Sequence, residues 1–510
     1  MPQIQRFSVY MVDVKPDNGR LVVPAFFVES MAPDNFDDKD GTPATPEYCI
    51  PSKIDNIVEM LAQQQNPKLL INVHGFNTPR EKVLEIYTKS FQAVNQDNAI
   101  QGSGVVCVGY RWPSERMLTP WLSGFNAAPW FLIGVLTAAL AAFYLVNFYF
   151  EICGWWKVAR IAVTAVTAIM AVVPVTLFLL RLIVYFRDGF RATTFGVPDL
   201  VNLVRQIDDK LSEKLKTHSG EASDGNGRRV DLSFLGHSMG GFVVTNAVRI
   251  LSDVFSPEAI AALNYGVREL GSEEERQERE RRSKIGNSFL LRRLVLVSPD
   301  IPAEVLLTGR SNALQSSLIR FQEAHLFSNE GDEVLRNIST TANFFSLPTK
   351  NRRFGYRLGN VGVLTGWGVS ENLTLGSLRV GSHTLYELYA DLDAAQSEDS
   401  FAERLTYFDC TDSIDEEGQG VVTDAVRGAS TNLSWLGHLR LLLVYVRGKA
   451  DVHSGYFLKP SLVRQLIYRF ACIGYGDSER FYNGLAALSD LCKKKQIKAL
   501  KAGASTVVSA

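Results

Sequence analysis

Cysteine is scarce in this chain: six residues in 510, at Cys49, Cys107, Cys153, Cys410, Cys472 and Cys492. No two stand in a CxxC pair and no framework spacing recurs, which excludes a disulfide-stapled scaffold and offers no structural zinc site. Net charge is nearly absent as well, with 53 Lys and Arg against 54 Asp and Glu. That balance gives no global field for nucleic acid, so no nucleic-acid partner is expected. Met1 to Val12 lacks a basic region followed by an apolar stretch, so no cleavable secretory signal is expected there. Scattered reduced thiols and a cytoplasmic setting for the soluble part are the resulting expectation.

What the chain has in quantity is apolar sequence, 46% of residues, enough for one large α/β domain with insertions. Two runs stand out. Met117 to Phe150 contains no Asp, Glu, Lys or Arg, and after Glu151, Lys157 and Arg160 a second uncharged run extends from Ile161 to Leu180. A bilayer crossing takes about 20 apolar residues at about 1.5 Å each. Both runs reach that length, and Trp130, Tyr144, Tyr149, Trp155 and Trp156 fall near the ends, where amphipathic rings prefer the interface. The pattern predicts a transmembrane helical hairpin; the bland alternative is a buried hairpin or an apolar lid. Arg111, Arg116, Arg181, Arg187 and Arg191 flank the pair, against Lys157 and Arg160 in the connecting loop. This bias places the flanks in the cytoplasm.

Around the runs, short strands alternate with helices. Strands are predicted at Phe7–Val12, Leu21–Val28, Lys68–Val73, Gly104–Tyr110, Val230–Leu235, Arg293–Val297, Arg320–Phe327, Leu405–Asp409 and Leu441–Tyr445. Helices are predicted at Ile54–Gln64, Pro79–Asn95, Val197–Leu215 and Gly241–Val254. Such alternation implies a mostly parallel sheet. The predicted organisation is an α/β domain in two parts, residues 1–125 and 187–492, a hairpin insertion at 126–186, and a basic, flexible tail at 493–510. Tyr356 to Asp391, rich in Gly and Thr, fits no element.

The chemistry centres on Gly236-His237-Ser238-Met239-Gly240, between a strand and a helix. A nucleophile on so sharp a turn has a strained backbone, and side chains two positions away on either side would collide. The turn exposes the serine oxygen and aims the helix N-terminus at it, so the Met239 N–H is a candidate oxyanion donor. His74-Gly75-Phe76-Asn77 follows an earlier strand, where such an architecture places its other donor; the Phe76 N–H is the candidate. His74 and His237, inside these motifs, suit packing and hydrogen bonding better than base chemistry. The base must come from the rest of only seven histidines. His453 lies after an apolar run and before a C-terminal helix, the position expected for the base; His438 is the next choice. For the acid that orients the imidazole, Asp332 is preferred and Asp300, after the preceding strand, stays open.

Asn72-Val73-His74-Gly75-Phe76-Asn77, Arg111-Trp112-Pro113-Ser114, Gly236-His237-Ser238-Met239-Gly240, Ser298-Pro299-Asp300, Asp332-Glu333-Val334-Leu335 and His453-Ser454-Gly455-Tyr456-Phe457 occur in this order. In this the chain resembles the bacterial esterase/lipase-like branch of the α/β-hydrolase superfamily. The resemblance implies an α/β-hydrolase fold with a mostly parallel central sheet, interrupted here by the inserted transmembrane helical hairpin. It also implies a Ser238–His453–Asp332 triad acting on an ester-type substrate, small-molecule or lipid, without metal or organic cofactor. With the charge bias, it places the chain in a bacterial inner membrane with the hydrolase domain cytoplasmic. A scaffold that keeps the fold without turnover is the alternative from another class.

Overall fold

The computed structural model describes residues 6–13, 23–34, 45–115, 182–218, 229–252, 282–307, 313–346, 356–391, 401–415, 418, 420, 437, 438, 440, 441, 452–458, 460–476 and 482–502. The predicted hairpin runs, the polar stretch from Ser219 to Arg228 and most of Glu273 to Lys284 lie outside these residues. Among the described residues no helix is long and apolar enough to cross a membrane.

Twelve strands of the described residues form one sheet. At one edge β1 (Phe7–Val12) pairs antiparallel with both β2 (Ala25–Ser30) and β3 (Cys49–Ser52). From β2 the sheet continues in parallel through β5 (Val105–Arg111), β4 (Lys68–Val73), β6 (Val230–His237), β8 (Phe289–Val297), β9 (Glu323–Ser328) and β14 (Thr406–Asp409). β7 (Lys284–Ile285) adds an antiparallel partner to β8. Past β14 come β15 (Lys498–Leu500), antiparallel to it, and β11 (Gly368–Ser370), parallel to β15. The unassigned Gly- and Thr-rich stretch holds β11 and a separate small antiparallel sheet of β10 (Val361–Val363), β12 (Leu378–Val380) and β13 (His383–Thr384).

The central strands are apolar on both faces because both are covered. Alternate residues of β4 divide between two cores: Leu69, Ile71 and Val73 face one, Leu70 the other. Three helices serve the first core with stripes at helical spacing: α1 (Ile54–Gln63) with Ile54, Ile57, Val58 and Leu61, α4 (Val197–His218) with Leu200, Leu203, Val204, Ile207 and Leu211, and α5 (Met239–Leu251) with Val243, Val244, Ala247 and Val248. α2 (Arg80–Gln96) and α6 (Leu462–Cys472) cover the opposite face through Val83, Ile86, Phe91, Leu466, Ile467 and Phe470. Each such Val, Leu, Ile or Phe side chain, fully buried, contributes roughly 1.5–3 kcal/mol. The result is a mixed α/β architecture with a mostly parallel central sheet. Its winding reverses between β4 and β6, and a crevice outside the strand carboxyl ends at such a point is where α/β sheets bind ligands.

Two expectations are corrected. Leu441, the first residue of the predicted strand Leu441–Tyr445, is helical, and 442–445 lie outside the described residues. β15, which pairs with β14, is drawn from the segment expected to be a flexible tail. Its Ala499 and Leu500 enter the two cores, and Lys498 is buried 3.5 Å from the Asp412 carboxylate. The flanking lysines of 493–510 masked this three-residue strand. Residues 182–191 form one helix, α3, continuing through a wide π turn at Ala192–Gly196 into α4. Val184 is buried and Tyr185 packs against the first core.

Candidate active site

β6 ends at His237 and α5 begins at Met239, leaving Ser238 alone at the bend with φ 53° and ψ −126°. Non-glycine residues avoid this region, at a cost of about 1–3 kcal/mol, unless the surroundings dictate it. Here they do. The Ser238 N–H donates to the Val297 carbonyl at 3.0 Å, and its own carbonyl accepts from the Gly241 and Asp300 N–H groups at 3.0 and 3.1 Å. The glycines do what the spacing predicted: a β-carbon at 240 would sit 2.2 Å from the Val73 carbonyl oxygen, and one at 236 only 2.7 Å from Gly241 Cα.

The imidazole of His453 lies beside this bend. Its ring centroid is 4.9 Å from that of His237 and 6.4 Å from the Phe76 ring. Its Nδ1 is 2.6 Å from Asp332 Oδ2. Asp332, fully buried after β9, accepts the Val334 and Leu335 N–H groups on Oδ1, both at 3.2 Å. One carboxylate oxygen is thus anchored to backbone and the other faces the imidazole, which fixes ring orientation and tautomer.

Asp300 and His438, the alternatives, have other partners. Asp300 Oδ1 lies 3.0 Å from Arg357 Nε, close enough for an ion pair though misaligned for a hydrogen bond, and Oδ2 accepts from Ser339 Oγ at 3.1 Å. His438 Nδ1 is 2.7 Å from Glu333 Oε1, one residue beyond Asp332.

The motif histidines are structural, as expected. Burial lowers His237 to about 3, helped by the nearby His453, and lowers His74 to about 3, so both are neutral near neutral pH. A neutral His237 with its proton on Nε2 donates to the His453 carbonyl at 2.9 Å and so holds the backbone of His453. His74 donates from Nδ1 to the Gly75 carbonyl at 2.7 Å, accepts the Trp112 N–H on Nε2 at 3.2 Å, and stacks on the Trp112 ring at 5.1 Å. Arg111 ties this corner to β2 through Glu29 at 2.7 Å.

A β-carbon added to Gly75 would meet Ser238 Cβ at 2.8 Å, so this loop's backbone lies directly against the serine. Among the described residues the Phe76 and Met239 N–H groups donate to no protein acceptor. Ser238 Oγ is buried and also makes no hydrogen bond, including to His453. Nucleophile–base contacts commonly tighten only when substrate binds.

Sequence reasoning missed Asp188, Ser114 as more than a motif letter, and Asn360, whose side chain donates to the Asp332 carbonyl at 3.1 Å. Ser114 carried a signal through its place in Arg111-Trp112-Pro113-Ser114; Asp188 and Asn360 carried none. Among the described residues no group of His, Cys, Asp or Glu is placed to hold a metal ion. No family model, curated protein or solved structure matches this chain.

Proposed function

We propose that the protein is a membrane-anchored serine hydrolase of the α/β-hydrolase fold, cleaving an acyl ester through Ser238, His453 and Asp332. The observation that carries this reading is the strained Ser238 bend beside a His453–Asp332 contact of 2.6 Å. Ser238 Oγ attacks the ester carbonyl while His453 takes its proton, and Asp332 stabilises the resulting imidazolium. The Phe76 and Met239 N–H groups receive the tetrahedral oxyanion, each worth about 3–4 kcal/mol in the transition state. His453 then protonates the departing alcohol, and water repeats the sequence on the acyl-enzyme.

A membrane setting is supported by the two apolar runs and by helix α3, which follows the second run and exposes Phe186 and Phe190, 41% and 54% accessible, one turn apart. A lipid or other membrane-partitioned ester suits a site beside such a helix, on the cytoplasmic face of a bacterial inner membrane. The missing Ser238–His453 hydrogen bond favours a second reading, a scaffold without turnover. An amidase or thioesterase would use the same residues. Purified protein in detergent, given a panel of ester, thioester and amide substrates, separates all three: ester turnover that falls by about 10⁴-fold or more in Ser238→Ala is the predicted result. No turnover by folded wild type, or equal turnover by the variant, rejects the proposal.

A further inference from the structure

The oxyanion loop is held by a residue that no motif marks. Asn77, next to Phe76, has φ 54°, a left-handed conformation that needs support in a non-glycine residue. Its N–H donates to Asp188 Oδ2 at 2.7 Å. The same oxygen accepts from Ser114 Oγ at 2.8 Å, and Ser114 Oγ in turn accepts the Thr78 N–H at 3.2 Å. Thr78 Oγ1 closes the loop on itself by donating to the Phe76 carbonyl at 3.0 Å. Asp188 and Ser114 are both fully buried, so the bond between them is shielded from bulk water, while the bonds from Asn77 and Thr78 are part-buried. Arg187 donates to the other carboxylate oxygen of Asp188 at 2.9 Å.

Asp188 belongs to α3, as does Tyr185, whose ring meets the Phe76 ring edge-on at 5.6 Å. The Tyr185 hydroxyl accepts from Arg357 at 3.0 Å, and Arg357 also pairs with Asp300. Two side chains of one helix turn thus grip consecutive residues of the loop, one by its backbone and one by its ring. The loop itself cannot be braced from the serine side, where only a glycine fits.

We infer that Asp188 is a positioning residue: from the helix that follows the second apolar run, it fixes Asn77 and thereby aims the Phe76 N–H at the oxyanion formed on Ser238. This rests on the serine-hydrolase reading and adds regulation to it, because the placement of α3 sets the geometry of one oxyanion donor. A residue acting this way affects the transition state and leaves ground-state binding alone.

The test uses the full chain in detergent, a short-chain p-nitrophenyl ester, and a trifluoromethyl ketone that forms a tetrahedral adduct with the serine. Asp188→Ala is predicted to lower kcat by about 10²-fold, the loss typical of one oxyanion donor, with KM within threefold of wild type. Affinity for the ketone falls in step with kcat/KM. Asp188→Asn retains a carbonyl acceptor for the Asn77 N–H and restores at least tenfold of the loss. Should Asp188→Ala fail to fold, Ser114→Ala and Asp188→Asn carry the test, each predicted to lower kcat several-fold at unchanged KM. Variants with wild-type kcat, or with KM alone raised, overturn the inference while leaving the serine-hydrolase reading intact. A wild-type protein that neither turns over the ester nor binds the ketone overturns that reading instead.

Discussion

Asp300 and Asp332 occupy equivalent places, each just beyond the carboxyl end of a parallel strand, β8 and β9, and each buried. Their partners differ. Asp300 faces a fixed cation, Arg357 at 3.0 Å, whereas Asp332 faces an imidazole at 2.6 Å and two backbone N–H groups. A guanidinium keeps its charge at any ordinary pH, so the first pair is a constant structural tie. In the proposed reaction the imidazole changes charge during proton transfer, and the second carboxylate stabilises a charge that comes and goes. On that proposal two acids of the same type and depth acquire different work from one neighbouring side chain.

The largest effect that tests this contrast is on turnover. Asp332→Asn is predicted to lower kcat by about 10⁴-fold in steady-state ester hydrolysis, with the fold retained, because the amide favours the wrong imidazole tautomer. Asp300→Asn is predicted to leave kcat within about fivefold but to reduce unfolding free energy by about 3–5 kcal/mol in denaturant titrations, since Arg357 loses its buried counter-charge. Reversed phenotypes would exchange the two roles.

The smallest effect concerns a histidine that neither acid holds by hydrogen bond. Burial depresses His237 from 6.5 to about 3 in the folded state. Between these values the unfolded chain binds the proton and the folded chain does not. Stability is therefore present above about pH 6.5 and is lost as pH falls toward 3. His74, depressed to about 3 as well, acts in the same direction. His237→Gln is predicted to flatten the slope of unfolding free energy between pH 6 and 4 by up to about 1.4 kcal/mol per pH unit. An unchanged slope would show that His237 is protonated in the folded protein.

Much of this was legible in the sequence because local rules sufficed. The parallel strands are short apolar runs between helical stripes, and the Ser238 bend is dictated by two glycines in five residues. The pairing of Asp332 with His453, 121 positions apart, was anticipated from motif order and the family resemblance, with Asp300 left open as a rival. The partner that separates the two acids was not legible: Arg357 lies 57 residues beyond Asp300, and only the folded chain brings them together. Asp188 was hidden for the same reason: its bond to Asn77 spans 111 positions. β15 escaped because three residues are too few for a period to show, and lysines on both sides suggested solvent.

The most direct test of the central claim is the site of covalent modification by a fluorophosphonate, located by tandem mass spectrometry of the peptide spanning the β6–α5 turn. The account predicts a single adduct on Ser238, forming far more slowly in Asp332→Asn and at a near wild-type rate in Asp300→Asn. An adduct on another residue, or labelling of Ser238→Ala at the wild-type rate, would contradict it.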